Sequence, residues 1–165
     1  MVVETRLCLV SIFFYTFAII LIVLGRIVAI DFGQKRTGIA VTDPLQIIAN
    51  SLTTVPSSEV ISFLTAYTSK EKVDSFVVGY PRQMNNSLSE SVRYIDPFIE
   101  KLKKTFPGKE VFLVDERFTS KMAVQTMIMG GVKKKDRQNK ALVDAISATI
   151  ILQSYLESKT MKNEQ

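Results

Sequence analysis

Apolar positions along this chain fall into short blocks separated by turn-forming residues. Ile27-Val-Ala-Ile30 is unbroken, ends in Asp31, and gives way to the polar run Gly33-Gln-Lys-Arg-Thr before the apolar pattern resumes beyond Gly38. Two such runs joined by a polar turn predict a β-hairpin. Asp43-Pro44 closes it, and Ile47 to Val55 predicts a third extended run. Ser57 or Ser58 then caps a helix reaching about Lys72, with Glu59 in the first turn and Val60, Ile61, Phe63, Leu64 and Tyr67 as its apolar side. Asp74 to Tyr80, built on Phe76-Val-Val78 and closed by Gly79, reads as a buried parallel strand.

A polar loop runs from Tyr80 to Ser87. A helix follows from about Leu88 to Phe106, and Pro97 predicts a kink in it or a break into two pieces. Pro107-Gly108 ends that helix, and Glu110 to Asp115 is another strand. Thr119 or Ser120 caps the next helix, which Gly130-Gly131 stops. Val132 to Lys140 reads as a basic loop, and Lys140 to Glu157 as the last helix. Three strands that start as a meander and then alternate with helices predict an α/β domain. Its mixed five-stranded sheet opens with an antiparallel meander and is flanked by helices. The organisation read from this pattern is an apolar segment over 1–24, one domain over 25–157 and a polar, frayed tail over 158–165.

The apolar segment changes the picture at one end only. Leu7 to Leu24 carries no charge and is long enough for a membrane-spanning helix. It meets the first predicted strand after only Gly25 and Arg26, whereas a domain tethered to a bilayer normally stands off on a linker. The preferred reading is a true start near Val23 to Arg26, with the upstream residues not part of the native protein. A membrane anchor and a helix packed on the domain are the alternatives.

The chain of 165 residues has no histidine, and its one cysteine, Cys8, lies in that segment. Histidine general bases, Ser-His-Asp and Cys-His mechanisms and imidazole-based zinc sites are therefore excluded. Catalysis must rest on carboxylates, Lys, Arg, Tyr, hydroxyls or a metal. A site of oxygen ligands favours Mg²⁺ or Mn²⁺. The absence of a disulfide framework fits a reducing compartment, and the domain reads as cytoplasmic. The net charge of +5 points to an anionic partner.

Three acids stand out by position. Asp31 ends the first strand, where an unpaired carboxylate is costly. Asp115 and Glu116 end the fifth strand, and alternation turns them to opposite faces. Glu116 is the better ligand, because Asp115 follows the apolar run and suits the turn or Arg117. Asp144 lies in the last helix within a strip of Ala141, Ala145 and Ala148, and small residues there let a helix approach a sheet closely. Carboxylates from separate elements meeting at one sheet edge suit hard cations that drive phosphodiester hydrolysis.

Four motifs carry a resemblance. Asp31-Phe-Gly-x-Lys-Arg-x-Gly38, Val78-Gly-Tyr-Pro-Arg82, Asp115-Glu-Arg-Phe-Thr119 and Asp144-Ala-x-x-Ala148-x-x-Ile151-Leu-Gln153 resemble the YqgF family. Its members are described as pre-16S rRNA nucleases or Holliday-junction-resolvase-like proteins. The resemblance runs from about Gly25 to Glu157 and implies a ribonuclease H-like fold. It also implies Asp31, Glu116 and Asp144 as catalytic, metal-binding acids, and a divalent-metal nuclease. Tyr80 stands where the family usually has Leu, and Met84-Asn-Asn-Ser87 replaces its usual acidic or glycine-rich run.

Around those acids, Lys35, Arg36, Arg82 and Arg117 are the expected nucleic-acid contacts, and the segment from Lys133 to Lys140 would extend them. The expected activity is Mg²⁺- or Mn²⁺-dependent hydrolysis in 5′ maturation of pre-16S rRNA. The alternatives are a junction-cutting DNA nuclease, which a two-fold homodimer would suit, and a non-catalytic nucleic-acid-binding module in ribosome biogenesis. ATP binding is disfavoured, since sugar-kinase and actin-like folds need two such domains. A membrane is a partner only if residues 7–24 are genuine.

Overall fold

The computed structural model describes residues 24–81, 91–115 and 119–163. The calls on the N-terminal apolar segment therefore lie outside the described residues. Among the described residues, no helix is long and apolar enough to cross a membrane.

The predicted sheet is present. Strands β1 (Arg26–Phe32), β2 (Arg36–Thr42), β3 (Ala49–Pro56), β4 (Val73–Tyr80) and β5 (Glu110–Asp115) form one sheet in the order β3-β2-β1-β4-β5. β1 to β3 pair antiparallel, while β4 joins β1, and β5 joins β4, in parallel. The C-terminal ends of β1, β3, β4 and β5 and the start of β2 consequently share one edge. The helices are α1 (Val60–Thr68), α2 (Val92–Thr105), α3 (Thr119–Met129), α4 (Lys134–Arg137) and α5 (Lys140–Asn163).

Period-2 alternation sorts the strand residues onto two faces. Val28, Ile30, Ile39, Val41, Phe76 and Val78 bury against α1 and α2. Ile27, Ala29, Ala40 and Val77 bury against Ala148, Ile151 and Leu152 of α5. On the second face Ala29 and Ala40 are small, and α5 lies close to the sheet there.

Several local expectations are corrected. Ser57 and Ser58 do not cap α1: its N-cap is Glu59, with no side-chain capping bond. Ser57 Oγ instead donates to the Gly33 carbonyl (2.6 Å), clasping the β1–β2 turn. α1 ends at Thr68, because Lys70 and Glu71 N–H both return to the Tyr67 carbonyl. Ile47 and Ile48 belong to the connection before β3, whose N–H groups Asp43 takes up. α2 runs through Pro97 as one helix. The basic segment is not wholly a loop, since it contains α4. The tail is helical to Asn163, with Lys159 Nζ donating to Gln46 Oε1 at 2.8 Å.

Candidate active site

Asp31 lies near the end of β1, two residues beyond the buried Ala29, on the face that α5 covers. Its partner in register is Gly38 of β2, and the partner of Gly38 in turn is Thr54 of β3. α5 crosses directly above this row. A Cβ on Gly38 would collide with the carbonyl of Asp144, and Thr54 Oγ1 donates to the Ala141 carbonyl at 2.7 Å. Glycine is therefore required at position 38 by the close approach of another backbone. The Ala29–Ala40 pair on the sheet and the buried Ala145 and Ala148 on α5 extend the same tight seam. This packing places Asp31 and Asp144 on one face at the same end of the strands.

Arg36 begins β2 on that face, two residues before Gly38. Its Nε donates to Asp144 Oδ2 at 3.0 Å, a partly exposed pair. The arginine expected to hold phosphate thus also neutralises a proposed metal ligand. Lys35 is exposed in the β1–β2 turn, and its carbonyl accepts from Ser57 N–H at 3.2 Å. Glu116, Arg82 and Arg117 lie outside the described residues.

Asp115 ends β5 in register with Tyr80 and shares its side with Val111, which packs with Phe76 on the α1–α2 face. It is therefore on the opposite face from Asp31. Tyr80 donates to Asp96 Oδ1 at 3.1 Å. Burial, and that carboxylate as acceptor, push the Tyr80 hydroxyl above the ordinary tyrosine range, so it is a neutral donor at physiological pH.

Two carboxylates on one face form an oxygen-only donor set, which fits a hard divalent cation. Among the described residues no group of three or more metal-ligating side chains occurs. Sequence reasoning missed two features, the Arg36–Asp144 pair and the role of Gly38. The signal for both was present. Arg36, Gly38 and Ala40 share strand parity, and the last two form a small-residue strip that matches the alanines of α5.

Comparison with known proteins gives a consistent picture. The RuvX family, described as Holliday junction resolvase, matches residues 25–158. A Bacteroides thetaiotaomicron protein named "Putative pre-16S rRNA nuclease" is 62% identical over 136 residues, covering 82% of this chain and 99% of that protein. A Porphyromonas gingivalis protein of the same name is 56% identical over 135 residues, covering 82% and 98%. Among solved structures, T. thermophilus RuvC in complex with Holliday junction substrate aligns with a TM-score of 0.50 at 15% identity, over 82% of this chain and 96% of that one. At that identity the likeness is one of fold, the ribonuclease H-like fold that the sequence motifs imply.

Proposed function

Because this chain belongs to the RuvX family, we propose that it is a divalent-metal-dependent nuclease that hydrolyses phosphodiester bonds in maturing the 5′ end of pre-16S rRNA in the cytoplasm. The observation that carries the chemistry is the juxtaposition of Asp31 and Asp144 through Gly38. The relatives at about 60% identity, named for pre-16S rRNA, support the substrate.

Asp31 and Asp144 would hold Mg²⁺ or Mn²⁺, with Glu116 as the third ligand. The position of Asp115 on the far face supports Glu116 in preference to it. A bound divalent cation supplies Lewis-acid chemistry at a phosphoryl oxygen. The rest falls to the chain. The carboxylates keep the reacting group at the strand ends. Arg36, released from Asp144, has a guanidinium whose fork matches a phosphate. Lys35 holds the strand beside the turn, and Arg82 and Arg117, which follow β4 and β5 in the sequence, are further proposed contacts.

The test is cleavage of precursor 16S RNA and of a four-way DNA junction by purified protein, with Mg²⁺ or Mn²⁺ and with EDTA. Metal-dependent cleavage of the RNA is expected. Asp31→Asn and Asp144→Asn should each lower it by at least about 100-fold, since even outer-shell metal partners are worth 10–100-fold. Undiminished cleavage by either variant would remove that acid from the mechanism. Cleavage of the junction alone would move the substrate to DNA.

A further inference from the structure

We propose that α4 and the start of α5 form a track for the phosphate backbone, leading the nucleic-acid strand away from the acids over the β3 edge of the sheet. This rests on the nuclease reading above and adds the path that the substrate takes.

The geometry sets the direction. In the row Asp31–Gly38–Thr54, α5 passes over β2 at Asp144 and over β3 at Ala141. Three residues of helix advance about 4.5 Å, and neighbouring strands lie about 4.8 Å apart. Between Asp144 and Ala141 the start of α5 therefore moves outward by one strand, from β2 to β3. β3 is the edge strand, so Lys140, next to Ala141, stands at that edge, and α4 precedes it in the chain. The β3 edge itself is two strand spacings from Asp31, about 10 Å.

The chemistry there is that of a polyanion surface. Lys133, Lys134, Lys135 and Lys140 are exposed. Asp136 is the only acid in the segment. The ion pairs found among the described residues, Arg26–Glu71 and Arg36–Asp144, engage none of these cations. Arg137 is partly buried, and its Nε has no hydrogen-bond partner among the described residues. Position, and not net charge, is the point. Lys101, Lys103 and Lys104 are equally exposed, but they sit at the end of α2, just before β5 begins. That is the opposite edge of the sheet and the opposite face.

The experiment exploits this contrast. Binding of fluorescein-labelled single-stranded RNA is measured by anisotropy in EDTA across a series of KCl concentrations. The variants are Lys133→Gln/Lys134→Gln/Lys135→Gln and, with the same charge removed, Lys101→Gln/Lys103→Gln/Lys104→Gln. Each phosphate contact contributes about 0.7 to the slope of log K against log salt on a single strand. The α4 triple should lower that slope by roughly 2, and the α2 triple should leave it unchanged. Equal loss from both triples, or none from the α4 triple, would overturn the track. Hydrolysis of bis(4-nitrophenyl) phosphate, which has no flanking phosphates, separates the two ideas. The α4 triple should retain it while Asp144→Asn loses it. A track that fails with this hydrolysis intact falls alone. A wild-type protein that binds RNA with the expected slopes but hydrolyses neither the diester nor RNA loses the nuclease reading and keeps the track.

Discussion

A methyl group at position 38 would contend with a main-chain carbonyl, which, unlike a flexible side-chain tip, cannot swing aside. Gly38→Ala should therefore displace α5 from the sheet, at about 1–3 kcal/mol of stability, the usual cost of overpacking. Cleavage should fall more than stability, because the displaced residue is Asp144. A urea titration alongside a cleavage assay checks both, and an unchanged midpoint would show that the seam has slack. The two acids were legible because each breaks a local rule: Asp31 ends an apolar run, and Asp144 sits on an alanine strip. The Arg36–Asp144 pair was not, since it joins residues 108 apart. Finding it required knowing which strand the helix crosses.

The β2–β3 connection shows how local chemistry fixes an element. The Asp43 carboxylate accepts from the N–H groups of Leu45, Ile47 and Ile48 at 3.0, 2.8 and 2.7 Å. Burial raises its pKa, but these bonds outweigh burial and hold it below the ordinary aspartate range. A carboxylate depressed on folding contributes stability that is present above its unfolded pKa, about 3.9, and lost as pH falls through the folded value. Asp43→Ala should cost about 0.5–2 kcal/mol at neutral pH, as loss of a comparable cap does. It should also flatten the acid limb of stability against pH, measured by urea titration at a series of pH values. Capping was the least legible layer elsewhere. Ser57 has the composition of an N-cap, but a carbonyl in a distant turn competes for its hydroxyl. The stop after α3 was legible, because Gly131 at φ 72° closes it. Its N–H bonds the Ile128 carbonyl, and the Val132 N–H bonds the Met127 carbonyl.

At the scale of the molecule, the sheet and its two covered faces followed from alternation and from the spacing of apolar runs. The length of α5 did not, because its last turns are polar and one of them is tied down by the Lys159–Gln46 bond. A metal site assembled from the sheet and α5, as proposed, would couple cation binding to global stability. At a free Mn²⁺ concentration 100 times Kd, binding to the folded state alone adds about 2.7 kcal/mol. For a domain of this size that is a Tm rise on the order of 5–10 °C. Differential scanning fluorimetry should show the rise for the wild type and its loss in Asp31→Asn and Asp144→Asn. A rise that persists in both variants would locate the ion elsewhere.

The separation of 108 positions between Arg36 and Asp144 also has a consequence in time. During translation at about 5–20 residues per second, the hairpin bearing Asp31 and Arg36 leads its helical partner by on the order of ten seconds. Until that helix is made, a nascent chain carries only one of the two acids proposed to bind metal. On the function proposed, a copy halted before α5 would be unable to cut the RNA of the ribosome that makes it.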